Sequence, residues 1–172
     1  MTNANEVAAS PGTTLCKSCG LCCTGHLFVW TKLRAAELDS IQSLGLNVLR
    51  EPNQRGFNQP CPLWDEVCTI YETPNYPRFC HTYKCKLLKQ VLDEVTSLQT
   101  ALNVVQQAKS LIDDLDMALP NTAIPNFRER LVAYLEQNSV DSDIRQKAKE
   151  LLGVFESQFG VNDLIDSQKP EY

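Results

Sequence analysis

The chain has 172 residues, of which 43% are hydrophobic and 22% are charged, and its formal net charge is −5. This composition is typical of a folded globular protein and excludes disordered, collagen-like and fibrous chains. The acidic charge argues against nucleic acid or an anionic membrane as a partner, and no apolar run approaches the roughly 18 residues of a membrane span. The unusual feature is the presence of eight cysteines beside only two histidines and two methionines.

The cysteines and the charge divide the sequence into two parts. Residues 1–86 contain all eight cysteines, with 8 basic and 7 acidic residues and a balance of +1. Residues 87–172 contain 8 basic and 14 acidic residues, a balance of −6. We therefore predict a disordered leader over residues 1–14, a cysteine-cluster metal-binding module over 15–86 and an acidic helical region over 87–172.

The N-terminal residues indicate where the thiols are expected to function. Residues 1–10 have neither the basic segment nor the apolar stretch of a secretory signal. We therefore expect a cytoplasmic protein, in which thiols stay reduced and clustered cysteines hold metals or perform catalysis. A disulfide scaffold is the alternative, and it would suit an exported chain.

The first half of the sequence predicts short elements joined by loops. Glycines and closely spaced cysteines predict a loop over residues 15–25, and β-branched and aromatic residues predict a strand over 26–30. A helix is expected over 31–44, followed by a loop over 50–60, which is polar and rich in Pro and Gly. Two short apolar segments then predict a hairpin, or a pair of short extended segments, over 61–71.

The second half has helical periodicity. Apolar residues recur at steps of 3 and 4 from Lys86 until Pro120, which ends the predicted helix. The residues of this stripe are Leu88, Val91, Val95, Leu98, Leu102, Val105, Ile112 and Leu115. A second helix is expected to begin near Pro125 and a third to end at Gly160, with a loose tail after Leu164. The stripe suits a bundle core better than the seam of a coiled-coil dimer, although both interpretations stay open.

These elements together predict a mainly α fold with a small irregular α+β part. A cysteine-ligated metal module is expected to precede a three-helix C-terminal bundle. The oligomeric state is left open by the sequence.

The cysteine spacing indicates metal ligation. Cys16, Cys19 and Cys22 form a Cys-x2-Cys-x2-Cys motif, and thiolates at this spacing can reach one metal ion. Bacterial ferredoxins combine this motif with a distant Cys-Pro, for which Cys61-Pro62 is available, whereas zinc sites usually combine two Cys-x2-Cys pairs. The spacing therefore leaves the choice between an iron–sulfur cluster and zinc open.

Eight thiols are enough for one or two metal centres. We predict that all of them are ligands: Cys16, Cys19, Cys22, Cys23, Cys61, Cys68, Cys80 and Cys85. The division predicted from the sequence groups Cys61 with Cys16, Cys19 and Cys22, and leaves the remaining four for a second centre. His26 and His81 are alternative ligands or proton carriers, but lone histidines are more often surface groups or neighbours of the ligands.

The same cysteines carry a resemblance to a known family. The motifs are Cys16-x2-Cys19-x2-Cys22-Cys23, Cys61-Pro62-Leu63, Cys68-x-Ile70-Tyr71-Glu72 and Cys80-x4-Cys85. Their order resembles the zinc- or iron-chelating CxxCxxCC family, the YkgJ-type cysteine cluster proteins. The chain departs from the family pattern at Thr73-Pro74, where an Arg-Pro is usual, and at His81, where an arginine is usual. The resemblance implies metal binding. The two departures leave the set of cysteine ligands intact.

Three functions follow from these observations. The first is a metal-binding cysteine cluster with a structural or redox role. The second is a component of a modifying enzyme, because flagellin lysine methylases contain a related cluster; no nucleotide-binding, metalloprotease or hydrolase motif supports this alternative. The third is an interaction module whose acidic helices bind a partner protein.

Overall fold

The computed structural model describes residues 9–124 and 126–162, which form a mainly α protein with a small β part, as predicted. The helices are α1 (Pro11–Cys19), α2 (Leu38–Ser43), α3 (Arg78–Thr82), α4 (Lys86–Leu92), α5 (Leu98–Ala118), α6 (Phe127–Leu135) and α7 (Ser142–Val154). The strands are β1 (Trp30–Lys32), β2 (Val48–Glu51), β3 (Gln54–Asn58), β4 (Trp64–Asp65) and β5 (Val67–Cys68). A 3-10 turn over Ala35–Glu37 precedes α2, and a π-helical turn over Phe155–Phe159 follows α7.

The strands form two small antiparallel sheets. The first has the order β1-β3-β2, and Thr31 lies opposite Phe57 in it. The second is a tight hairpin of β4 and β5, in which Trp64 lies opposite Cys68 and Glu66 turns the chain with a φ of 58°. This hairpin confirms the one predicted over residues 61–71.

Three predictions in the first half differ from the structure because strand pairing outweighed the local sequence pattern. Residues 50–60, predicted as a loop, contain most of the β2–β3 hairpin. Its polar residues are exposed, while Phe57 is buried under the sheet. The strand predicted over 26–30 begins only at Trp30. Because this strand, β1, continues to Lys32 and pairs with β3, the helix predicted over 31–44 is shortened to the 3-10 turn and α2.

Cys16 and Cys19 lie on a helix, although a loop was predicted over residues 15–25. Helix α1 begins at Pro11, and the hydroxyl of Ser10 caps it by accepting the N–H of Thr13 at 3.2 Å. The helix ends at Gly20, which has a φ of 67° that a side chain would disfavour. The predicted leader over 1–14 therefore extends too far along the chain, while residues 1–8 lie outside the described residues.

The long helix predicted from Lys86 is divided in two. Helix α4 ends before Glu94, which has a φ of 57°, and Ser97 caps the start of α5. Val95, predicted in the apolar stripe, lies in this break and is 72% exposed. Asn126 caps α6, so the predicted start near Pro125 is close, although Pro125 and the tail after Leu164 lie outside the described residues.

The larger hydrophobic core joins the two halves of the chain. Leu15 and Leu21 from the first half pack in one cluster with Val105, Ile112 and Leu151 of the later helices. Helix α1 contacts both α4 and α5, and α5 contacts α7. The stripe on α5 is thus buried within the chain, as the bundle interpretation predicted, and the bundle includes the helix of the first cysteines.

A smaller core lies beneath the three-stranded sheet. Its members are Leu33, Leu38, Ile41, Leu46 and Phe57, and Cys61 packs against it. Within the described residues, every helix is too short or too polar to span a membrane.

Candidate metal centre

The first group of thiols lies where α1 meets α4. Cys16 and Cys19 are on the last turns of α1, and the reversal at Gly20 brings Cys22 back beside them. Cys85 is the N-cap of α4, where its sulfur accepts the N–H of Leu88 at 3.4 Å. These four cysteines, Cys16, Cys19, Cys22 and Cys85, also pack against the larger core.

Burial and the charges of neighbouring thiols raise the pKa values of three of these four cysteines. Burial and then the charges of Cys85 and Cys68 raise the pKa of Cys16 to about 11. Burial raises the pKa of Cys19 to about 12; Cys85 and Cys16 add to this effect. The pKa of Cys22 is raised well above its usual value by burial, then by Cys19 and Cys85. Such repulsion between like charges requires that the sulfur atoms are close.

The second group is assembled from four separate segments. Cys23 follows Cys22, and its carbonyl accepts the N–H of Cys61 at 2.7 Å. Cys68 is in β5, and Cys80 is on α3. Burial and the Cys68, Cys80 and Cys61 charges raise the pKa of Cys23, while burial, Cys61 and Cys68 raise that of Cys80 to about 12.

The two groups are neighbours. Cys22 and Cys23 are adjacent in the chain, and the charge of Cys16 contributes to the raised pKa of Cys23. Members of both groups line one cavity of about 80 Å³: Cys16, Cys19, Cys22, Cys23, Cys80 and Cys85. The fold thus brings all eight cysteines predicted as ligands into one region, although they span 70 residues of sequence.

Backbone N–H groups lower the pKa of five of the eight thiols, among them Cys80, which is affected by its own amide. The amides of Leu21 and Leu63 lower the pKa of Cys19 and Cys61 respectively, against the larger effect of burial. Cys68 receives such bonds from Ile70 and Tyr71, and Cys85 from Leu88 and Leu87. Hydrogen bonds of this kind favour the thiolate, which is the form that ligates a metal. The first group contains two of these five cysteines and the second contains three.

The donor set fits a thiophilic metal. All eight cysteines are free thiols that are only partly exposed. In residues 9–124 and 126–162, no three His, Cys, Asp or Glu side chains already stand in an arrangement that could hold an ion. Burial and mutual repulsion disfavour the thiolates, and a divalent cation would supply the positive charge that offsets both effects. Thiolate sulfur is the ligand type that zinc and iron–sulfur clusters use.

Neither histidine is placed among the thiols. The Nδ1 atom of His26 is 2.6 Å from the hydroxyl of Thr24, and its ring packs edge-on against Phe127. Burial lowers the pKa of His26 to about 4, so it is neutral at physiological pH. His81 is exposed, and its ring centre is 6.4 Å from that of Tyr76.

Aromatic side chains surround the cysteine region. Trp64 packs so closely on Gly20 that a Cβ there would overlap its ring. Tyr76, which the sequence did not single out, donates its hydroxyl to the carbonyl of Cys80 at 3.2 Å. Burial and the nearby thiols Cys80 and Cys16 raise its pKa. Tyr76 therefore keeps water from one side of the thiols and stays protonated.

Two buried polar residues of α6 hold the loop after Cys23. Arg128 is fully buried and donates from Nη1 to the carbonyls of Leu27 at 2.5 Å and His26 at 3.4 Å. The side-chain amide of Asn126 reaches the carbonyls of Gly25 and Gln59, each at 3.5 Å. Sequence inspection missed both residues because about 100 positions separate them from that loop, and no local pattern links them to it.

These features define a small, α-rich protein with a cysteine-rich centre. The sequence model of one family, described as "Putative zinc- or iron-chelating domain", matches residues 15–105, which is more than half of the chain. The chain therefore belongs to the CxxCxxCC family of zinc- or iron-chelating domains. The match extends beyond Cys85 through α4 into α5. No curated protein and no solved structure matches the chain.

Proposed function

We propose that the eight thiols form two tetrathiolate metal centres with a structural role. The first centre consists of Cys16, Cys19, Cys22 and Cys85. The second consists of Cys23, Cys61, Cys68 and Cys80. The observation that carries this proposal is geometric: α1, which holds Cys16 and Cys19, packs against α4, which begins after Cys85, whereas the backbone N–H of Cys61 donates to the carbonyl of Cys23 at 2.7 Å.

This division exchanges two members of the one predicted from the sequence. Cys85 replaces Cys61 in the first centre, because α1 contacts α4 and Cys85 begins that helix. Cys61 joins the second centre, because it is bonded through its backbone to Cys23 and its pKa responds to Cys68. The sequence favoured Cys61 through its Cys-Pro pattern, whereas the tertiary contacts favour Cys85.

A structural role follows from the elements that each centre would connect. The first centre would join the end of α1 to the start of α4, beside the larger core. The second would join β5 and α3 to the turn after α1, where the sheets are small and the packing is sparse. A structural zinc site contributes on the order of 10 kcal/mol to folding, which such short elements do not obtain from burial.

Metal binding is expected to release protons. With pKa values near 11 and 12, Cys16, Cys19 and Cys80 are protonated at neutral pH in the metal-free protein. Each tetrathiolate centre then displaces about four protons, so the apparent affinity rises with pH until the thiols ionise by themselves. Competition with a chelator at a series of pH values measures the number of protons; affinity independent of pH would contradict thiolate ligation.

Two double variants distinguish the possible divisions. We expect Cys19→Ser/Cys85→Ser to retain one centre, because both residues belong to the first, and Cys19→Ser/Cys61→Ser to lose both. The sequence-based division predicts the reverse. The measurement is metal content per chain after purification in reducing buffer, and loss of all metal in both variants would instead indicate a single shared centre.

The metal itself is identified by anaerobic purification with elemental analysis and a visible spectrum. Colourless protein containing about two zinc ions per chain would support structural zinc in both centres. Brown protein containing iron and inorganic sulfide would assign iron–sulfur clusters and would overturn a purely structural role if the protein is reduced and reoxidised reversibly.

A further inference from the structure

A basic groove lies beside the cysteine region, between the end of β1 and α3. It is a cavity of about 360 Å³, within the size range of small-molecule sites. Its charged side chains are Lys32, Arg34, Arg78 and Glu37, so three cations and one carboxylate leave a formal charge of +2. The chain as a whole carries −5. A local excess of positive charge in an acidic protein attracts anions to this groove.

The carboxylate in the groove is held by backbone groups and, in the part of the chain that the structure describes, forms no ion pair with Arg34 or Arg78. One oxygen of Glu37 accepts the N–H of Arg34 at 2.7 Å, and the other accepts the N–H of Arg78 at 2.6 Å. Glu37 thereby ties the two sides of the groove together across 41 residues of sequence. Among the described residues, no acidic side chain forms an ion pair with the guanidinium of Arg34 or Arg78.

The rest of the lining suits a small organic anion. Leu33 and the ring of Phe79 supply apolar surface, while the hydroxyl of Thr82, which also lines the groove, donates to the carbonyl of Arg78 at 2.9 Å. A guanidinium binds carboxylate or phosphate oxygens through two parallel hydrogen bonds, and two arginines lining one groove suit a ligand with two negative charges. We propose that this groove binds a small dianion, either a phosphate monoester or a dicarboxylate.

The position of the groove places its ligand next to the metal centre. Phe79 lines both the groove and the cavity formed by the cysteines, and it directly precedes Cys80. Its ring stacks on Tyr83 with a centroid distance of 5.6 Å. The side chain of Phe79 therefore lies between a dianion bound in the groove and the thiols. The groove itself is built from residues outside the ligand set, so the anion site stands or falls independently of the metal assignment.

Binding is tested with the full-length, metal-loaded protein and two probes, inorganic phosphate and succinate, by calorimetric titration at constant ionic strength. Saturable binding of phosphate alone indicates the phosphate monoester, and binding of succinate alone indicates the dicarboxylate. Binding of both still supports a dianion site. Absence of saturable binding with both probes overturns the proposal.

Variants locate the site. Arg34→Gln and Arg78→Gln each remove one guanidinium but keep the backbone N–H that Glu37 accepts, and each is expected to weaken binding about tenfold or more. Arg145→Gln, an exposed arginine on α7, makes the same change in net charge and is expected to leave the affinity within about twofold. Equal weakening by Arg145→Gln would show non-specific attraction and contradict the site. Unchanged metal content and unfolding temperature confirm that the variants are folded.

Discussion

Replacement of Arg128 by methionine tests how the C-terminal helices hold the loop between the cysteine turn and β1. The arginine is fully buried, and Nη1 donates to the carbonyl of Leu27 at 2.5 Å and to that of His26 at 3.4 Å. Methionine has a similar length and keeps much of the packing, so a cavity accounts for little of the expected decrease in the free energy of unfolding. The main loss is the charge-assisted hydrogen bonding to carbonyls that stay buried.

The magnitude follows from those two bonds. A hydrogen bond from a charged group contributes about 1.5–3 kcal/mol, and the short bond to Leu27 belongs near the upper end of this range. The longer bond to His26 adds less, so Arg128→Met is expected to lower the free energy of unfolding by about 3–4 kcal/mol. For a chain of this size the unfolding temperature falls by about 2–4 °C per kcal/mol, which gives about 6–16 °C.

The assay is thermal and urea unfolding of the full-length protein in reducing buffer, with a matched variant on the same helix. Arg130→Met removes an ion pair with Asp116, whose side chain is 47% exposed, and is expected to cost about 1 kcal/mol or less. A loss for Arg128→Met that is no larger than that for Arg130→Met would refute the assignment of Arg128 as the anchor of the loop.

Three further predictions follow from the burial of His26, from two contrasting glycines and from the shared core. Because burial lowers the pKa of His26 to about 4 from 6.5, the unfolded chain takes up a proton between these pH values and the folded chain does not. The free energy of unfolding therefore falls as the pH drops through this window, and urea unfolding of His26→Gln should show a smaller fall; an identical fall would contradict the burial. Gly20→Ala forces a Cβ into the Trp64 ring at a φ of 67° and is expected to cost about 2–4 kcal/mol, whereas Gly153→Ala, in an open helical position, is expected to gain about 0.5–1 kcal/mol in the same thermal assay. A chain lacking residues 87–172 is expected to lose its helical circular dichroism and precipitate, because α1 loses the partners of its apolar face; a soluble, metal-binding fragment would show that the cysteine module folds independently.

The spacing of apolar residues predicted those elements that depend mainly on residues close to one another in the sequence. The stripe of Val105, Ile112 and Leu115 indicated α5 because burial of one face of a helix imposes a period near 3.6 residues. The break between α4 and α5 was missed because Val95 continues the stripe in sequence while Ser97 caps a new helix. Capping competes with periodicity, and here the cap decided the boundary.

The elements that depend on distant partners were predicted less well. Strands β2 and β3 look like a polar loop because only one face is buried and the sheet is small. The sequence identified eight candidate ligands through their spacing, but their division requires knowing that α1 packs against α4. Arg128 could not have been identified from the sequence, because a buried arginine is recognised only by the carbonyl groups to which it donates hydrogen bonds.

The order in which the chain is synthesised matters because α1 is completed by elements that emerge much later. Its apolar face is covered by α5 and shares a core with α7, which ends at residue 154. While the chain is being translated, Cys16 and Cys19 therefore have no finished environment, and their sulfur atoms remain open to oxidants and to the wrong ion. We therefore expect the first proposed centre to be loaded only after α7 has been synthesised.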